Sequence, residues 1–488
     1  MIWTLERPAS ALPKSYLWTW DHSTNWVLDD PGIINYGCYN RYLKKPETFK
    51  EDYRLLTDFA AGLGIPGIVI YGFLRDSHGG EVFAREVAEY AASKGVDIYP
   101  GIGLTWYGGP YYEGQHRFNL DTFLDQHPSA KLVNKDSGDG HDPLNYTLLL
   151  PDGTAAEDSG IQGICPSDPT YKQWIQDGLQ WLFEAFPIGG VNIENGDFIV
   201  CHCEICQSHK QNWPAEDPEF FRHQALGYDT ALRCLEAIGE RKDEQLLNTW
   251  ATYTGFIPGE GERDNATGFM FCDRPALLDR MESLETIQWT ITGMVLKKPL
   301  PLTMYLDHGR PEEMFDNPMW PKELKPPIPG GVGLLHQGSQ WNASRYDCVV
   351  STIKEGCARA HDSGMEGVVI QGEVSSRHIP SALNYLAFSH FTHWPNDTLR
   401  DFGRKTLGQV FHDEAEGEAF VVLFAHWDAG TLTEEHRELL SAKWTALQKL
   451  ITVGNSETVN DKMDWFRFWH WLHTSITAAK EPHTATFY

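Results

Sequence analysis

Residues 67–100 read GIVIYGFLRDSHGGEVFAREVAEYAASKGVDIYP, and this stretch decides the fold. Gly67-Ile-Val-Ile-Tyr71 is a short β-branched run, the signature of a buried strand. In Glu81–Ser93, Val82, Phe83, Val87, Tyr90 and Ala91 fall on one face at helical spacing. Val96–Pro100 is a second strand. The unit is strand–helix–strand.

The same alternation continues in both directions. Upstream stand the apolar run Tyr16–Trp20 and a helix over Phe49–Leu63, with Pro46 and Glu47 suited to its first turn. Downstream, Thr105–Gln162 is a long Gly-, Pro-, Asp- and Tyr-rich loop, a length usually tied to function. Asp168-Pro169 then supplies an N-cap and first helical residue, with Tyr171, Trp174, Ile175, Leu179 and Leu182 facing inward. That helix leads to a strand over Gly190–Glu194. Further strands are expected at Leu246–Thr252, Thr286–Thr292, Gly331–His336 and Gly367–Gln371. Helices are expected at Glu219–Gly239, Pro275–Met281 and Val349–Ser363, and Leu302–Leu306 reads as a strand or a loop ribbon.

With Leu302–Leu306 set aside there are eight strands with helices between them. That is the pattern of an α/β protein of the (β/α)8 TIM-barrel type, with a long loop after strand 3. An open doubly wound sheet is the second choice. It lacks a Gly-x-Gly-x-x-Gly turn, the nearest being Gly101-Ile-Gly103, and no P-loop is present. The segment from Thr398 to Tyr488 is helical, which divides the chain into a barrel over 1–397 and a C-terminal extension over 398–488. Trp427, Trp444, Trp465, Phe466, Phe468, Trp469 and Trp471 are expected to pack that extension on the barrel.

The 488 residues carry 40 Lys+Arg against 67 Asp+Glu, a net charge of −27. Such a balance disfavours nucleic acid and anionic membranes, which need cations to neutralise phosphate. Apolar residues at 41% and charged residues at 22% allow a large core. No apolar window reaches transmembrane length. The first residues lack an apolar signal core, so a cytoplasmic location is expected. The 18 Trp and 19 Tyr suit either a core or a sugar-binding cleft, and an exposed Trp patch would favour a homo-oligomer.

Barrel enzymes hold their active sites at the C-terminal ends of the strands. Glu194 and Glu373 each follow an apolar strand, and Asp197 and Asp21 are rivals for the same work. Two carboxylates across a barrel mouth suit glycoside hydrolysis. One protonates the leaving oxygen; the other attacks the anomeric carbon or activates water. The expected substrate is a glycoside or oligosaccharide. Trp20, Trp106, Tyr107, Tyr111, Tyr112 and Trp250 offer faces for a sugar ring, and Asp21, His22, His78, His116 and Asn195 offer hydrogen bonds. Arg75 reads either as a partner for a substrate carboxylate or as one for Asp21 or Asp76.

Cys201-His-Cys-Glu-Ile-Cys206 brings three thiols within reach of one tetrahedral ion, with Cys165 or His202 as the fourth ligand. Bound zinc would be structural in a four-sulfur site, and catalysis would need no cofactor. Two other readings compete with the glycosidase. One is a metal-dependent sugar hydrolase or isomerase using Asp21, His22, His78 and His116. The other is a non-catalytic carbohydrate-binding barrel.

Asn192-Ile-Glu194-Asn195, followed by Cys201, Cys203 and Cys206 with Cys165 upstream, resembles the bacterial β-galactosidases whose barrel carries a cysteine-cluster zinc site. The layout is also similar to bacterial barrels related to α-glucuronidases and hexosaminidases. The likeness spans Cys165 to Cys206 and the strand pattern. It implies Glu194 as the acid. The family has Asn directly before that Glu, whereas Ile193 stands there in this chain. The family's nucleophile follows the seventh strand, whereas Glu373 follows the eighth by the count above.

Overall fold

The computed structural model describes residues 3–21, 23–27, 45–105, 108–133, 163–193, 201–210, 290–292, 332–335, 348–362, 364, 366–454 and 456–478. The strands are β1 (Tyr16–Trp20), β2 (Gly67–Tyr71), β3 (Asp97–Ile102), β4 (Asn192–Ile193), β5 (Thr290–Thr292), β6 (Val332–Leu335) and β7 (Gly367–Gln371). Between them lie α1 (Pro46–Leu63), α2 (Gly80–Ser93), α3 (Leu120–Gln126), α4 (Pro169–Ala185), α5 (Glu204–Lys210) and α6 (Val350–Asp362); α7 (Ile379–His393) follows β7. The expected elements at Glu219–Gly239, Leu246–Thr252, Pro275–Met281 and Leu302–Leu306 lie outside the described residues.

Local chemistry sets the helix ends. Pro46 starts α1, and Gly64 ends it at φ 69°, donating its N–H to the Ala60 and Ala61 carbonyls. The Asp168 side chain caps α4 by accepting from Thr170 N–H, with Pro169 next.

All strand pairs are parallel, in the order β4-β3-β2-β1-β7-β6-β5. Among the described strands, every strand lies beside its neighbours in the chain except β4 and β5, which stand at the two ends of the order, and the first lies beside the last. A doubly wound sheet that begins 4-3-2-1 continues with β5 at β1's other edge. β7 is there instead, with Tyr16 opposite Val369 and Trp18 opposite Gln371.

The two faces of the sheet carry different residues. Leu17, Ile68, Ile70, Ile98, Val368 and Ile370 join one large core with the inward faces of the surrounding helices. Tyr16, Trp18, Trp20, Val69, Tyr71, Tyr99 and Val369 form a separate cluster on the opposite face. The period of two along each strand produces this division.

After α7 the described chain is helical, with elements at Leu399–Phe402, Gly408–Phe411, Glu414–Asp428, Glu434–Val453, Ser456–Asp461 and Met463–Ala478. A π-helical turn, Gly403–Leu407, interrupts the first pair. There the backbones nearly touch: a Cβ on Gly417 would lie 2.2 Å from the Gly403 carbonyl oxygen. The large core runs without a break into this extension through Phe402, Phe420, Phe468 and Trp469, while Trp427, Trp444, Phe466 and Trp471 pack on it partly buried. Trp3 meets both parts, with its ring against Phe59 and Phe468 and its Nε1 donating to Asp464. No helix among the described residues is long and apolar enough to cross a membrane.

Candidate functional site

The face of the sheet turned away from the helix-packed core is a stack of aromatic rings over glycines. Tyr16 and Tyr99 meet at 4.9 Å between ring centroids, above Gly67. A Cβ on Gly67 would come within 2.6 Å of Tyr16 and 2.7 Å of Tyr99. Burial pushes the Tyr99 hydroxyl up to about 12 and Tyr16 higher still, so this layer is uncharged. Towards the C-terminal ends of the strands, Tyr71 touches Trp18 and Trp20, each at 4.9 Å. The Tyr71 ring lies over Gly101, and its hydroxyl donates to Asn192 Oδ1 at 2.8 Å. Tyr112 adds an edge contact to Trp20 at 6.3 Å.

Glu373, two residues past β7, closes this wall at the C-terminal end and is fully buried. Its Oε1 accepts from Ser23 Oγ at 2.6 Å and from the Trp20 N–H at 3.3 Å. Asn25 N–H donates to the Glu373 carbonyl at 2.8 Å, and Trp26 Nε1 donates to the Gly372 carbonyl. The turn after β1 therefore grips the turn after β7 and fixes the carboxylate. Ser23 and Asn25 were not expected in the site. Their adjacency to Asp21 was the available signal, but the partner lies some 350 residues away in the chain.

Asp21 organises a second group. It is fully buried, and its Oδ2 meets Arg75 Nε at 2.8 Å and His78 Nδ1 at 3.0 Å. Arg75 also pairs with Glu113, and its guanidinium lies over the Tyr112 ring at 4.4 Å. Burial pulls the Arg75 guanidinium down, but Asp21 and Glu113 outweigh it and hold the group above its ordinary value. Gly72, at φ 82°, makes room for Asp21: a Cβ there would sit 2.0 Å from Oδ1. Arg75 thus pairs with Asp21 rather than with Asp76. Asp76 instead accepts from the Gln115 N–H at 2.8 Å and bonds the Tyr111 hydroxyl. His78 stacks on Phe49, while His116 stacks on Tyr111 and sits 3.6 Å from Glu81. Burial lowers the His116 imidazole, opposed by Glu81.

Among the described residues, Asp21, His78 and His116 do not assemble into a metal-competent group; the four cysteines do. The ligand atoms of Cys165, Cys201, Cys203 and Cys206 all lie within 4.8 Å of one another. Cys165 Sγ is 3.7 Å from Cys203 Sγ and 3.8 Å from Cys206 Sγ. Zinc–sulfur bonds of about 2.3 Å in a tetrahedron separate the sulfurs by about 3.8 Å. Val133 N–H points at Cys201 Sγ and Cys206 N–H at Cys203 Sγ, both at 3.4 Å, as donors that suit thiolates. The alternative fourth ligand, His202, turns its Nδ1 to Gln207. The thiols of Cys165 and Cys206 hold Cys201 well below the usual thiol range.

Glu194, Asn195, Asp197, His22, Trp106, Tyr107 and Trp250 lie outside the described residues. Chain order places Glu194 directly after β4.

No family model matches the chain, and no curated protein matches it. Solved structures resemble it faintly. The α-amylase of Geobacillus thermoleovorans is 10% identical, with 80% of each chain covered and a TM-score of 0.41. The Thermobaculum terrenum O-GlcNAc hydrolase is 9% identical over 88% of this chain and 80% of its own, with a TM-score of 0.42. The PgaB glycoside hydrolase domain of Bordetella bronchiseptica is 11% identical over 76% and 98%, with a TM-score of 0.41. Likenesses this faint do not decide the fold or the chemistry.

Proposed function

We propose that this chain is a glycoside hydrolase built on a closed (β/α)8 barrel. The cyclic strand order supports closure, since only the β4–β5 contact is missing from a complete ring among the described strands. The observation that carries the function is the inner wall of Trp18, Trp20 and Tyr71 ending at the buried, hydrogen-bonded carboxylate of Glu373. Aromatic faces stack on the C–H face of a pyranose, and a fixed carboxylate beside them is what attack at an anomeric carbon requires.

In this reading Glu373, oriented by Ser23 and the Trp20 N–H, is the nucleophile or the base. Glu194, following β4, protonates the leaving oxygen, with Asp197 as the alternative. Asp21 and Arg75 act at one remove. Their pairing stiffens the turns after β1 and β2 and presents Tyr112 to the wall. The four cysteines hold a structural zinc ion that ties the segment after β4 to Val133 and Cys165. Catalysis itself draws on no cofactor.

The test is a panel of aryl hexosides, hexosaminides, uronides and deoxyglycosides, run with wild type and Glu194→Gln. Aglycone release by wild type that is lost in the variant supports the reading. Equal release by both removes Glu194 from the acid role. Sugar binding without release by wild type marks a carbohydrate-binding barrel.

A further inference from the structure

Gln371 is the last residue of β7 and is 2% exposed. Val369, two residues earlier, belongs to the inner aromatic cluster, whereas Val368 and Ile370 belong to the outer core. Gln371 therefore stands on the inner face, opposite Trp18 in the register and two residues before Glu373. Both its Oε1 and its Nε2 are buried with no hydrogen-bond partner among the described residues. A primary amide carries two N–H donors and an acceptor oxygen, and leaving them all unmade in an apolar, aromatic surrounding is expensive. A polar side chain kept at that cost, beside the wall that ends at Glu373, has the marks of a recognition group.

We infer that Gln371 determines sugar specificity by gripping a pair of vicinal ring hydroxyls, its Oε1 accepting from one and its Nε2 donating to the other. The ligand is then a neutral pyranose with two adjacent unsubstituted hydroxyls directed into the sheet's inner face, and Trp18 beside them. This rests on the glycosidase reading above and adds the group that selects the sugar.

The experiment uses the full chain, with neutral hexoses and their monodeoxy derivatives as probes and tryptophan emission as the binding signal. Gln371→Met keeps the length and removes the amide. Gln371→Glu keeps an acceptor and removes the N–H donors. In wild type, removing one of the two hydroxyls should weaken binding about tenfold or more. In Gln371→Met that difference should vanish, and the variant should melt no lower than wild type, because no hydrogen bond to a described residue is lost. Gln371→Glu should keep the penalty for the hydroxyl that donates and lose it for the hydroxyl that accepts.

A lower melting temperature for Gln371→Met, or its failure to fold, would show that the protein itself satisfies the amide and would overturn the assignment. An unchanged deoxy-sugar profile in both variants would also overturn it, while leaving glycoside hydrolysis by wild type standing. A wild type that binds no hexose and cleaves no aryl glycoside would overturn both readings.

Discussion

Replacing Asp21 by Asn keeps the shape of the side chain and removes its charge. Asp21 is fully buried, with Arg75 Nε at 2.8 Å and His78 Nδ1 at 3.0 Å on the same oxygen. Removing one partner of a buried pair costs about 3–5 kcal/mol, mostly because the other charge is left stranded. Arg75 keeps Glu113, whose side chain is 32% exposed, which sets the expected loss near the low end, about 3 kcal/mol. Unfolding entropy is about 2.1 cal/mol/K per residue, or about 1 kcal/mol/K for 488 residues. Asp21→Asn should therefore lower Tm by about 3 °C when the chain melts as one unit. Adding Arg75→Met removes the stranded charge and should recover part of the loss. Differential scanning calorimetry of the wild type, both single variants and the double variant closes the cycle. A Tm for Asp21→Asn within 1 °C of wild type, or a double variant showing the full sum of the single losses, would refute the reasoning.

Other expectations follow from single contacts. The buried His390 bonds Thr406 through Nδ1 at 2.8 Å, with Asp397 3.2 Å from Nε2; burial, with Arg7 and Lys405 nearby, pushes its imidazole down to about 2 from 6.5. The unfolded chain then takes up a proton that the folded chain refuses, so stability falls as pH drops from 6.5 towards 2. At pH 5 the loss should be about 2 kcal/mol, and His390→Gln should remove that part of the acid slope in a Tm-against-pH series. Gly101→Ala would place a Cβ 2.5 Å from the Tyr71 ring, and chemical denaturation should show a loss of about 1–3 kcal/mol. Metal analysis of the purified protein should give one zinc per chain, and Cys201→Ser or Cys206→Ser should lower both that ratio and the melting temperature; an equal ratio in both variants would count against the four-sulfur site.

What the sequence made legible was local. Gly367–Gln371 was expected as a strand and is one to the residue, and Asp168 and Pro169 cap α4 as their chemistry requires. Both depend on neighbours in the chain. β3 runs on to Ile102, past the expected end at Pro100, because its last residues pair with the short β4 (Asn192–Ile193). Tertiary pairing decides such ends. The site was legible only as a set of candidates at strand ends. That Glu373 hangs on Ser23, and that Asp21 joins Arg75 to His78, are contacts made by the fold, and no spacing encodes them. Gln371 was within reach of the period of two that places Val369 inward, but glutamine after an apolar run reads as the end of a strand. Glu373 follows the seventh of the described strands, while the strand expected at Leu246–Thr252 falls outside them.

The most direct test of the central claim is kcat on the best aryl glycoside for wild type and Glu373→Gln, with melting curves to verify that both are folded. The expected result is a fall of about a thousandfold or more in kcat with the fold retained, as for the loss of a catalytic carboxylate. A folded Glu373→Gln protein that keeps kcat within tenfold of wild type would contradict it.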